Sequence, residues 1–319
     1  MRKILLVGSG DVGSRHLQAL CKSTEETIIE ILENNEKAIN VTKNRLNEIE
    51  FSDKKIKLVW KKTIHECSNN SDLVIVATKS PGRVNMIKNL LEKKHTTFLI
   101  EKIVCQSQTE YNMILENMKK YNAIGWVNTR CRYFESYQEI KSRFKSNPIH
   151  LSVTSSFAGL GTSAIHYIDL FNWLTGKNDV ILSGKMLLPN ILSNKRSEKL
   201  VEFSGLINGT SEYGSLSIAY FPEEKVPHII SISGKEGHVI VDETNEKILN
   251  ASEKFVDMKF KVDYVSNITT KIVNDIMKTN ECLLPTIQDS YHSHVELFQI
   301  FNKHLEKITN QEIILCPIT

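Results

Sequence analysis

Three glycines at the spacing G-x-G-x-x-G, in Gly8-Ser9-Gly10-Asp11-Val12-Gly13, stand directly behind the apolar run Ile4 to Val7 and restrict this chain more than any other feature. An apolar run that breaks into such a loop, with the helical spacing of Val12, His16, Leu17 and Leu20 behind it, is a buried parallel strand turning sharply into a helix. Each glycine meets a separate need: Gly8 the tight turn, Gly10 the approach of a pyrophosphate to bare backbone, Gly13 the close packing of helix on strand. The free amides and the dipole of that helix start favour negative charge, so Ser9, Asp11 and Val12 join the three glycines as candidate cofactor contacts. A second apolar run, Thr27 to Leu32, ends at Glu33, about twenty residues past the last glycine, where a dinucleotide site needs a carboxylate for the ribose hydroxyls. A structural glycine turn is the competing reading; strand, loop, helix and acid together favour the dinucleotide.

Behind this opening, short β-rich runs alternate with helical patterns. A helix around Ala38 to Ile49 leads to strands at Ile56 to Trp60 and Leu73 to Thr78, then a helix from Arg83 to Lys93. A strand at Thr97 to Glu101, a helix from Thr109 to Tyr121 and a strand at Ala123 to Val127 follow. Strict alternation implies right-handed crossovers and a parallel sheet covered on both faces, a doubly wound α/β domain over residues 1–127.

From Asn128 the rhythm changes, and a second domain is placed at 128–319. A helix (Tyr137 to Phe144) and a strand (His150 to Phe157) lead into the glycine loop Ala158-Gly159-Leu160-Gly161 and an apolar helix, Ser163 to Leu174, ended by Gly176. Strands then dominate: Val180 to Leu187, Leu200 to Ile207, Gly214 to Tyr220, Ile229 to Ser233 and Val239 to Asp242, with Gly237 in a turn. Helices at Tyr264 to Met277 and Ser290 to Ile308 close the chain. Strands without helices between them imply an open, mostly antiparallel sheet with one free face, which makes a homo-dimer or homo-tetramer plausible.

Composition narrows the partners. The 319 residues suffice for two cores, and a net charge of +3 with lysine interleaved among acids gives no basis for a nucleic-acid or membrane-surface partner. Six cysteines without a C-x-x-C pair indicate neither a metal site nor a disulfide framework. With no signal peptide ahead of Arg2 and no apolar run near twenty residues, a cytoplasmic location is expected.

Several residues can carry chemistry. Glu101-Lys102 falls at the carboxyl end of the fifth strand, the edge where doubly wound sheets bind ligands, and a lysine there can stabilise a developing alkoxide as hydride leaves; a strand-end charge pair facing water is the alternative. Thr162 or Ser163 can cap the apolar helix, leaving His166 in its first turn as a proton acceptor, or as a satisfied half-buried histidine. Asp169, one turn on, orients His166 or pairs elsewhere, and the structural role is favoured. Asn128, Arg130, Arg132 and Tyr133 alternate along the exit from the first domain, where guanidinium groups suit a substrate carboxylate or phosphate, or tie the domains together. Thr78 to Arg83 borders the nicotinamide ribose, with Pro81 and Gly82 shaping the turn.

Taken together, these segments resemble the glucose-fructose oxidoreductase / inositol dehydrogenase / MocA family. The likeness rests on Gly8 to His16, Asp72 to Thr78, Glu101-Lys102, Asn128-Thr129-Arg130, His166-Tyr167-Ile168-Asp169 with Trp173 to Gly176, and Ser233 to His238. It implies an N-terminal Rossmann domain, a C-terminal α/β domain, and reversible hydride transfer between NAD(P) and a secondary hydroxyl of a sugar, sugar nucleotide or cyclitol. The family's lysine maps onto Lys102 and its histidine onto His166. Three departures stand out: the usual Glu-Lys-Pro reads Glu101-Lys102-Ile103, the histidine common after the fourth strand is replaced by Arg83, and the Asp four residues before the histidine is Thr162.

The resulting expectation is an NAD-dependent sugar oxidoreductase. Lys102 and His166 are catalytic; Gly8, Ser9, Gly10, Asp11, Val12, Gly13, Glu33, Asn34, Thr78, Arg83, Glu101 and Lys102 hold the cofactor; Asn128, Arg130, Tyr133, Thr162, Ser163 and His166 face the substrate. NAD is preferred over NADP because Glu33 repels a 2′-phosphate and Asn34-Asn35 offers no guanidinium to receive one. Two other readings remain: a redox-neutral sugar-modifying enzyme that uses bound NAD transiently, and a dinucleotide-binding regulatory protein that lost the reaction.

Overall fold

The structure, a computed structural model, describes residues 1–52, 54–157, 159–194, 197–222 and 225–319, so Ala158 of the expected glycine loop lies outside the described residues. Six strands, β1 (Arg2–Val7), β2 (Thr27–Leu32), β3 (Ile56–Lys61), β4 (Leu73–Val76), β5 (Thr97–Glu101) and β6 (Ile124–Asn128), form one sheet in the order β3-β2-β1-β4-β5-β6. Every pairing in it is parallel. The helices α1 (Asp11–Cys21), α2 (Glu36–Leu46), α3 (Arg83–Glu92) and α4 (Gln108–Lys120) are the crossovers. Strands covered on both faces must be apolar along their whole length, and Ile4 to Val7 and Leu73 to Val76 are all buried. Because β1 pairs with β2 on one side and β4 on the other, the strand order reverses at β1, and a crevice opens beyond its carboxyl end.

In the second unit, α5 (Glu135–Arg143), β7 (Ile149–Ser155) and α6 (Leu160–Thr175) are followed by β8 (Ile181–Leu187), the short pair β9 (Leu192–Ser193) and β10 (Val201–Glu202), β11 (Gly205–Ser211), β12 (Gly214–Tyr220), β13 (Ile229–Gly234), β14 (Gly237–Asp242) and β15 (Lys247–Ala251). Seven of these strands form a mixed sheet, β15-β14-β13-β7-β12-β11-β8, in which only β7 and β12 run parallel. Along β7 the side chains alternate: Ile149, Leu151 and Val153 are buried, His150 and Ser152 exposed. The apolar α6 packs on β7 and β12 and stops at Gly176, whose φ of +76° suits the left-handed cap.

Two strand expectations change. The single run Leu200 to Ile207 divides at Phe203-Ser204, because Gly205 (φ +101°) brings the β11 backbone close to the Met186 carbonyl, leaving no room for a Cβ. The β15 strand escapes sequence reading because Lys247–Ala251 is an edge segment with no buried residue.

The chain closes with α7 (Val265–Thr279) and α8 (Ile287–Thr309). The first unit comprises Met1–Cys105, Thr109–Asn128 and Asp263–Gln288, so a single cut between 127 and 128 misplaces α7. Its apolar face, Ile268, Ile272, Val273 and Ile276, is buried beside α1, and Thr270 Oγ1 donates to the Ala19 carbonyl at 2.7 Å. Periodicity shows that a helix has an apolar face but not which element covers it. No described helix is long and apolar enough to cross a membrane.

Candidate active site

The glycine loop has the shape of an anion cradle. Gly8 lies at φ +86°, and its missing side chain lets the Thr78 segment approach; an added Cβ would stand 3.1 Å from Thr78 N. A Cβ on Gly13 would collide with the Gly8 carbonyl, whereas one on Gly10 would meet no protein atom within 4 Å. Gly10 therefore faces open space, at the N-cap of a helix whose first turn has no side-chain cap. Ser9 Oγ and Thr78 Oγ1 are both buried beside this loop without a hydrogen-bond partner in the protein. Bare first-turn amides, an empty approach and the unsatisfied Ser9 hydroxyl fit a bound pyrophosphate. Asp11, in the same turn, is exposed and turned toward Arg45 at 3.4 Å; Val12 is half-buried.

Glu33 follows β2 where the sequence pattern places it. Its carboxylate accepts from Ser9 N at 2.8 Å and Asn35 N at 2.9 Å, which joins the glycine loop to the β2 tail and presets the acid's position. Asn34 is exposed, while Asn35 caps α2 by accepting from Lys37 N and Ala38 N.

At the other side of the switch point, Lys102 is buried at the end of β5, and the Lys102–Ile103 peptide is cis. Glu101 beside it accepts from His16 Nε2 at 2.8 Å and Asn128 Nδ2 at 2.5 Å, and His16 Nδ1 meets Thr269 Oγ1 of α7 at 2.7 Å. Burial alone would raise the Glu101 carboxyl; the hydrogen bonds from His16 and Asn128 and the Lys102 ammonium outweigh it and hold the acid down to about 2. Glu101 is therefore an anion that anchors the strand end on which Lys102 sits. Asn128, expected at the substrate, has its amide committed to Glu101 within this network. Arg83, expected at the cofactor surface, is instead 1% exposed, with its guanidinium on the carbonyls of Thr78, Glu101 and Ile103. Backbone carbonyls left open where two strands stop draw in a donor that sequence spacing cannot foresee.

In the second unit, Thr162, Ser163 and His166 are half-buried along α6. The helix begins at Leu160 with Gly159 as its N-cap, so neither Thr162 nor Ser163 caps it and His166 lies in the second turn. The cap comes from a distant strand: Glu202 of β10 accepts from Thr162 N at 3.2 Å, from the Thr162 hydroxyl, and from Asn194 Nδ2 at 2.9 Å. The carboxylate occupies the space a Gly159 side chain would fill. Asp169 forms a two-point pair with Arg132 (2.6 and 3.0 Å) and accepts from Thr129 at 2.6 Å. Arg130 has φ +25°, stacks on Phe134 with 5.6 Å to the ring centroid, and keeps a buried Nε without a hydrogen-bond partner. Tyr133 is buried.

Sequence reasoning passes over Glu202 and a second acid, Glu243, which accepts from Tyr137 Oη and from Tyr167 Oη at 2.9 Å. Neither has a local signal, since the α5 and α6 groups they hold lie tens of residues away in sequence. Among the described residues, no group of three His, Cys, Asp or Glu side chains is placed to hold a metal ion.

An open glycine loop, a preset acid on β2 and a lysine at the β5 edge define an NAD(P)-binding oxidoreductase of Rossmann fold. Residues 2–129 match the model of the glucose-fructose oxidoreductase / inositol dehydrogenase / MocA oxidoreductase family, with its NAD-binding Rossmann fold. Solved structures share the fold along nearly the whole chain. The WlbA dehydrogenase of Bordetella pertussis, in complex with NADH and UDP-GlcNAcA, superposes with a TM-score of 0.70 at 14% identity over 99% of this chain and 98% of that one. An Agrobacterium radiobacter oxidoreductase in complex with NAD+, L-tartaric acid and magnesium gives 0.68 at 12% identity, over 97% and 96%. The biliverdin reductase of Synechocystis, with biliverdin and NADP+, gives 0.66 at 11% identity, over 93% and 97%. No curated protein matches the sequence.

Proposed function

We propose that this protein is an NAD-dependent dehydrogenase acting on a secondary hydroxyl of a sugar, sugar nucleotide or sugar acid. The observation that carries the reading is Lys102, buried beside an ionised Glu101 at the same carboxyl edge of the sheet as the open glycine loop. When bound, NAD supplies the hydride acceptor. The glycine-loop amides hold the pyrophosphate and Glu33 accepts from the adenosine ribose. Lys102 donates to the reacting oxygen and stabilises the charge that develops there; a cation in a water-poor site is more effective than in bulk solvent. His166 takes the hydroxyl proton. UDP-GlcNAcA and L-tartaric acid, bound by two neighbours, both present a secondary hydroxyl near a carboxylate, a group that Arg130 suits.

The test is NADH formation with UDP-GlcNAcA and related sugar acids. Lys102→Ala should lower turnover about a hundredfold or more, the usual scale for removing a group that stabilises transition-state charge; near-normal turnover discards the mechanism. Glu33→Ser should erode the preference for NAD over NADP, and an unchanged preference removes Glu33 from the cofactor assignment. Consumption of a sugar without net NADH would move the reading to a redox-neutral enzyme that uses NAD transiently.

A further inference from the structure

We propose that Arg83 is the positioning residue for the nicotinamide end of the cofactor site, a single buried cation that ties the tail of β4 to the tail of β5. The inference rests on the NAD reading above and adds to it the group that sets the geometry of the Lys102 segment.

The ladder between β4 and β5 ends at the pair Val76–Ile100. Beyond it the two chains separate into the segments that carry Thr78 and Lys102, and their inward carbonyls have lost their strand partner. Arg83, in the first turn of α3, reaches back beneath both. Its Nη2 donates to the Thr78 carbonyl; its Nη1 donates to the carbonyls of Glu101 and Ile103, which flank Lys102, and lies 3.5 Å from that of Val104. Burying a guanidinium is costly unless its donors are matched, and here both Nη groups are matched to backbone on the two loops. The planar fork is what makes this possible: an ammonium at the same place is a point charge that cannot span two segments in one plane.

Position in the sheet gives the clamp its specificity. A doubly wound domain binds one mononucleotide on each half, with the pyrophosphate at the switch point. The glycine loop and Glu33 belong to the β1–β3 half; Thr78 and Lys102 belong to the β4–β6 half, over which the nicotinamide riboside lies. The carbonyls that Arg83 holds, those of Thr78, Glu101 and Ile103, all belong to the second half, so its loss should be felt more at the nicotinamide end than at the adenosine end.

Calorimetric titration of NADH and, separately, of ADP into wild type, Arg83→Met and Arg83→Lys tests this, since ADP carries the adenosine and pyrophosphate without the nicotinamide. ADP affinity should stay within about twofold of wild type in both variants, while NADH affinity falls about tenfold or more in Arg83→Met and less in Arg83→Lys, a separation of at least one decade in Kd. Equal losses for both ligands would make Arg83 a residue of general stability, and an unchanged NADH affinity would leave it no role at the site; either overturns the proposal. If Arg83→Met does not fold, Arg83→Lys decides by the same ratio, because it keeps the charge. Wild-type protein that binds neither ligand would overturn the cofactor reading itself, and the Arg83 proposal with it.

Discussion

The glycine loop of the first unit and the α6 start of the second are both helix N-termini at candidate binding surfaces, and they are built in opposite ways. The first is made of backbone: Gly13 packs where a Cβ has no room, Gly10 faces empty space, and the amides of the first turn stay uncapped. The second is made of side chains: Glu202, arriving from β10, fills the space beside Gly159 and takes both the amide and the hydroxyl of Thr162. An uncapped turn is left to receive an external anion, whereas a turn that already holds a carboxylate repels one. The chain thus leaves one helix start open and closes the other with its own acid.

Three experiments would break or sharpen this contrast. The largest effect belongs to Gly13→Ala: the added methyl strikes the Gly8 carbonyl, so NADH binding should vanish and stability fall by about 3 kcal/mol, the upper range for overpacking. Gly10→Ala is its control and should weaken NADH binding while leaving stability within about 0.5 kcal/mol, since nothing in the protein stands in the way. Denaturation and NADH titration of both variants would separate the two glycines, and equal behaviour would remove the distinction between packing and ligand approach.

Next is acid sensitivity in the first unit. Glu101 has a folded pKa of about 2, below the ordinary 4.5, so its contribution is complete above about pH 4.5 and is lost as pH falls toward 2. A shift of that size corresponds to about 3 kcal/mol at most, and Glu101→Gln should flatten the acid limb of the stability curve by a fraction of it. A limb unchanged in the variant would mean that other carboxylates govern acid unfolding.

The smallest effect is expected at α6. Thr162→Val removes a hydroxyl that donates to Glu202 but keeps the amide that also donates, and should cost about 1 kcal/mol, measured by urea unfolding. A much larger loss would show that the hydroxyl, rather than the amide, carries the cap.

How much of this was legible beforehand follows the same division. The alternation of strand and helix, the glycine spacing and the acid behind β2 are local signals, and β2, β5 and β12 run where the residues alone put them: Thr27–Leu32, Thr97–Glu101 and Gly214–Tyr220. Legibility failed where a side chain's partner is distant in sequence. Arg83 reads as a cofactor contact after β4 until the carbonyls flanking Lys102 are brought over it. Asn128 reads as a substrate contact until Glu101 is beside it, and α7 reads as part of the second domain until its apolar face is found beside α1.

The sequence alone determined the periodicities and the steric exceptions, because strand alternation, helical spacing and glycine's conformational freedom act within a few residues. Tertiary structure decided which acid meets which donor. His16 with Glu101, Glu202 with Thr162 and Asp169 with Arg132 are joined across 85, 40 and 37 residues of chain, and no local rule specifies a hydrogen bond whose two ends are brought together only by the burial of the elements that carry them.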